Sequence, residues 1–177
     1  MFKLRLALFF FLVLSGLASK AFADPKHATV LVGLADGTTW SGVIVARDTV
    51  LTSSALLDVS QKTFIVHKDK IFEAKLESVK GSLATFKVRN LGGTKIAKLE
   101  RSLRLNESLR AISAYHGSYK GRFHGASEVM LASSEESRIY TTIPCAKGAM
   151  GSPVYAGNRF VGVIIGTIGS HTMVAKP

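Results

Sequence analysis

The chain has 177 residues, with Lys+Arg 23 against Asp+Glu 12 and a formal net charge of +11. With 47% hydrophobic residues, 20% charged residues and one cysteine, it is neither a disordered tail, nor a collagen-like repeat, nor a disulfide-stapled miniprotein. Only one apolar run is long enough to matter, which excludes a polytopic membrane protein.

That run opens the chain. Lys3 and Arg5 supply a positive start, residues 6–14 are all Leu, Phe, Ala or Val, and Ala21-Phe22-Ala23 has the small-x-small pattern of a signal-peptidase site. Lys20 closes the apolar segment short of the roughly 20 residues a spanning helix needs. Residues 1–23 therefore read as a cleaved signal peptide, with no cysteine beside the cleavage point for a lipid anchor. The mature chain is expected to be periplasmic or secreted and not an integral membrane protein.

From residue 26 onward short apolar, β-branched runs alternate with turn chemistry. Strands are expected at 29–34, 40–46, 49–53, 63–67, 72–79 and 83–88, separated by Ala35-Asp36-Gly37, Arg47-Asp48 and Lys68-Asp69-Lys70. Asn90-Leu91-Gly92-Gly93 interrupts the series. A second set follows at 109–115, 122–132, 138–142, 153–155, 160–167 and 172–175, and residues 97–105 read as the only helical stretch. Many short strands at this spacing predict an all-β fold of antiparallel barrels or a sandwich. The mid-chain break splits them into two lobes, 24–90 and 91–177.

Basic residues are scattered along the chain, as in 62–80 and 95–110, and a solvated cationic surface is their simplest reading. An anionic envelope surface is a possible partner of such a face; nucleic acid is not expected for an exported chain. Cys145, alone, has no intrachain disulfide partner.

Three segments carry a resemblance. Ser41-Gly42-Val43-Ile44-Val45 with Val50-Leu51-Thr52-Ser53-Ser54-Ala55-Leu56-Leu57 is similar to the "SGVIV…LTNNHVV" of the HtrA-type trypsin-like serine proteases. Ser82-Leu83-Ala84-Thr85-Phe86-Lys87-Val88 resembles their "DLALLKV". Gly148-Ala149-Met150-Gly151-Ser152-Pro153-Val154, followed by Gly162-Val163-Ile164, resembles "GNSGGPL…GVN". The resemblance spans essentially the whole mature chain and implies two antiparallel β-barrels of the trypsin-like fold, without the PDZ module of HtrA proteins.

Carried across residue by residue, the resemblance places Ala55 at the histidine position, Ser82 at the aspartate and Met150 at the serine. A methyl group accepts no proton and a thioether yields no nucleophile, so the triad chemistry is absent from these positions. The resemblance therefore implies a pseudoprotease, not an enzyme, that acts by binding or regulating a polypeptide. Gly148, Ala149, Met150 and Gly151 would keep the turn that aims two backbone N–H groups at a carbonyl. Ser152 would point away from the cleft. Two alternatives are a rewired hydrolase using Cys145 with a relocated histidine and a basic domain that adheres to envelope polymers. His116 and His124 flank a Gly-Ser-Tyr-Lys-Gly segment read as a turn, across which they would face each other. Two histidines without a third ligand are a weak zinc signal, and no metal or cofactor is expected.

Overall fold

The computed structural model describes residues 25–92, 102–131, 134–146 and 148–177. Among these, a four-residue helix, α1 (Pro25–Ala28), precedes twelve strands. The first six are β1 (Thr29–Leu34), β2 (Thr39–Ala46), β3 (Thr49–Ser53), β4 (Thr63–His67), β5 (Lys70–Lys80) and β6 (Leu83–Val88). The second six are β7 (Ser108–Ser113), β8 (Gly117–Leu131), β9 (Ser134–Thr141), β10 (Pro153–Ala156), β11 (Arg159–Ile168) and β12 (His171–Ala175). No helix among the described residues is long and apolar enough to cross a membrane.

All pairings are antiparallel, and the strands close into two six-stranded barrels. The first runs β1-β2-β3-β6-β5-β4 and the second β7-β8-β9-β12-β11-β10. One strand order thus serves both halves, with β1 on β4 and β7 on β10 as the closing pairs. Closure removes the sheet edges that would otherwise invite association.

Alternation of side chains fills each barrel. Val30, Val32, Trp40, Ile44, Val50, Ile65 and Phe86 pack the first core, and Leu109, Ile139, Ile143, Val154, Val161 and Ile164 the second. A third cluster joins them: Val43, Leu51 and Leu83 from the first barrel meet Ile112, Tyr155, Phe160, Val163 and Ile165 from the second. Strands that contribute to both a barrel interior and this seam, such as β3, are buried at every position, so that adjacent Val50 and Leu51 are both apolar, one in the first core and one in the seam.

The sequence reading is corrected at three places. The segment Gly117–Gly121 is not a turn but the start of the long strand β8, whose glycine is required by packing: a Cβ on Gly121 would collide with the backbone of Ile143. Helix α1 was not foreseen. The helical expectation at 97–105 lies mostly outside the described residues, and 102–106 ends in a turn rather than a helix.

Candidate functional site

Strand register assembles the site. Along β2, β3 and β6 the pairs Gly42↔Thr52, Thr52↔Ala84 and Ser53↔Leu83 set Ser41, Ser53 and Leu83 side by side at one end of the first barrel. The chain leaving β3 passes through Ser54 and the exposed Ala55, while the β5–β6 turn carries Gly81 and Ser82. Ser54 N–H donates to the Ser82 carbonyl at 2.9 Å, and the Ser54 hydroxyl to the Gly81 carbonyl at 3.2 Å. Positions 55 and 82 are therefore neighbours.

Met150 arrives from the second barrel. Its carbonyl accepts the Ser41 N–H at 2.9 Å, and the Ser41 carbonyl in turn accepts the Thr52 hydroxyl at 2.6 Å. Thr52 is itself held by the buried indole N–H of Trp40 at 2.8 Å. Gly151, at φ +75°, lies so close to the Ser41 carbonyl and the Thr52 hydroxyl that no side chain fits there. Its N–H donates to the Ile164 carbonyl at 2.8 Å, while Ile164 N–H donates to Ser152 at 3.0 Å. The turn is thus clamped between β2 and β11.

The Gly148 carbonyl is occupied by the Ser41 and Ser113 hydroxyls at 3.2 and 3.4 Å. Among the described residues, neither the Gly148 nor the Met150 N–H donates a hydrogen bond. The held turn thus leaves two backbone N–H groups, two residues apart, without an acceptor among the described residues.

Sequence reading named His116 only as half of a histidine pair and did not find the other residues around this turn and Ser82. Tyr115 and His116, from the β7–β8 turn, lie against Gly148, where a Cβ would approach the Tyr115 ring at 3.1 Å and His116 Nε2 at 3.8 Å. The Tyr115 hydroxyl is also bonded to Thr39 across the barrels. Glu136 is buried, and its carboxylate takes the Ser82 N–H, the Ser82 hydroxyl at 3.0 Å and Arg138 Nε at 2.6 Å. Arg138 Nη2 closes the group by donating to the Ser82 hydroxyl at 3.1 Å. These residues lie far from the motifs in sequence, so only the fold brings them there.

The remaining candidates fall outside this arrangement. Cys145 is half-buried against the core of the second barrel, and burial pushes its thiol pKa up, the opposite of what a thiolate nucleophile needs. Ser152 is fully buried, and its hydroxyl has no hydrogen-bond partner among the described residues. His116 and His124 do not face each other across a hairpin: His116 sits in the β7–β8 turn at Gly148, whereas the His124 ring lies 4.4 Å from that of His171. The described residues contain no group of three or more His, Cys, Asp or Glu side chains able to hold a metal.

No model of a known protein family matches the chain, and no curated protein matches its sequence. Solved structures match its fold. The Rv3671c protease in an inactive form superposes with a TM-score of 0.73 at 14% identity, covering 85% of this chain and 83% of that one. The Rv3671c active form from M. tuberculosis gives 0.74 at 15% identity, covering 85% and 76%. An inactive serine-to-alanine mutant of Rv3671c from M. tuberculosis H37Rv gives 0.75 at 13% identity, covering 90% and 86%. The fold is that of the trypsin-like serine proteases. The expectation that the chain is not an enzyme is corrected by this comparison. The scaffold it matches is that of a protease also seen in its active form.

Proposed function

We propose that this chain is an exported domain that binds an extended polypeptide in the cleft between its two barrels. One observation carries the reading: the turn at 148–151 is clamped to both barrels through Met150 and Gly151 while the Gly148 and Met150 N–H groups stay unspent. Such donors are suited to a main-chain carbonyl, which every polypeptide offers and which needs no particular side chain. Ala55, exposed beside Ser82, and the half-buried Met150 are both apolar, which in this reading suits them to meet side chains of the bound segment. Export rests on the basic, apolar and small-residue pattern of residues 1–23.

The test is selection of binders from a randomised peptide library, with the same samples analysed for cleavage products. Peptides retained by the parent and lost with Ala55→Trp, a bulky change at an exposed position, support the reading. Retention unchanged by Ala55→Trp places binding elsewhere, and cleavage products would show that the bound peptide is also turned over.

A further inference from the structure

Strands β8 and β12 both flank β9: Phe123 pairs with Thr141 from one side and Thr172 with Thr141 from the other. A register shift between Phe123 and Gly125 leaves His124 as the extra residue of a β-bulge, a device that re-aims a side chain. His171 is the first residue of β12. Because β9 ends at Thr141, the two imidazoles meet across the end of that strand, with ring centroids 4.4 Å apart and planes inclined by 34°. His124 is exposed and His171 half-buried.

Two histidines brought together in this way need a chemical reason. Ring packing alone yields little at an exposed position, and two imidazolium ions this close would repel. The neutral rings, by contrast, offer two nitrogen lone pairs to one acceptor. Ser170 Oγ lies 3.4 Å from His171 Nδ1. With the proton on Nδ1 donated to that hydroxyl, His171 Nε2 is left with its lone pair outward. A second hydrogen bond of this kind is how proteins orient metal-binding imidazoles.

We propose that His124 and His171 form a two-histidine site for a divalent transition-metal ion, with Ser170 as the positioning residue and water completing the coordination shell. Imidazole donors suit Cu2+, Ni2+ and Zn2+, and affinity should peak at Cu2+. The site lies on the second barrel and is independent of the polypeptide-binding reading.

The experiment uses the purified chain without a histidine tag, titrated calorimetrically with CuSO4 and separately with ZnCl2. One ion binds per chain, Cu2+ more tightly than Zn2+. His124→Gln and His171→Gln each lower the affinity at least ~10-fold, whereas Ser170→Ala, which removes only the orienting hydroxyl, causes a smaller loss. His27→Gln, an exposed histidine on α1, leaves binding unchanged. In the parent, Zn2+ shifts the imidazole resonances of His124 and His171 together and leaves those of His67 in place. The proposal is overturned if neither ion binds saturably, or if both glutamine variants bind as the parent does.

Discussion

Ser82 donates its backbone N–H and its hydroxyl to the carboxylate of Glu136, so the position that the sequence resemblance sets against an aspartate is tied to an acid from the opposite barrel. Gly81, at φ +55°, makes this possible: a Cβ there would overlap Glu136 Oε2. The link joins the two barrels and is nearly shut off from water, with side-chain exposures of 5% for Glu136 and 17% for Arg138.

Removing that charge should be costly. Glu136→Gln keeps the size but replaces one carboxylate oxygen with an NH2 donor that must face either the Ser82 N–H or Arg138 Nε, and it removes the charge paired with Arg138. We expect a stability loss of about 2–4 kcal/mol in urea unfolding. A loss near zero would show that the carboxylate does not hold the barrels together.

Glu136 also changes what restoring a triad would require. In Ala55→His with Ser82→Asp and Met150→Ser, the new aspartate meets the Glu136 carboxylate, and two close carboxylates disfavour each other. The triple variant should be less stable than Ala55→His/Met150→Ser, and adding Glu136→Gln should recover much of the difference. Melting temperatures of the three proteins check this. Peptide turnover measured on the same samples reads whether the groove accepts substrate.

The clamp on the central turn makes a sharper demand. Gly151→Ala introduces a methyl group against the Ser41 carbonyl at a left-handed backbone position. Clash and strain together should cost more than ~3 kcal/mol and loosen the β2–β10 junction. Amide exchange at Ser41, whose N–H is bonded to Met150, reports it directly. Unchanged protection would mean that the turn is not held as described.

His67 predicts an acid limb in the stability profile. Its ring is buried on β4, and burial first, then the neighbouring cations Lys68 and His27, push its pKa below the ordinary 6.5. The unfolded chain then binds the proton more readily, so this contribution is complete above pH 6.5 and is lost as pH falls through the lower folded value. His67→Gln should flatten that limb in urea midpoints measured across the acid range. An unchanged slope would assign it to other groups.

The barrels were legible because their strands are short, β-branched and separated by turn residues, and most expected strands lie within a few residues of the observed ones. Strand β8 was misjudged at its start because glycine reads as a turn residue, while Gly121 is there for close approach to Ile143. The three motifs single out Ala55, Ser82 and Met150 because each is a local pattern. Glu136, Tyr115, His116 and the His124–His171 contact were not legible. Each depends on closure of the second barrel or on its docking to the first, and no local spacing encodes that.

The most direct test of the cleft is backbone amide NMR of the 15N-labelled chain, titrated with a peptide selected from the randomised library. The account predicts that the Gly148 and Met150 amides shift downfield and rank among the largest changes, as each N–H takes up a carbonyl. Saturating peptide that leaves both amides unmoved would contradict it.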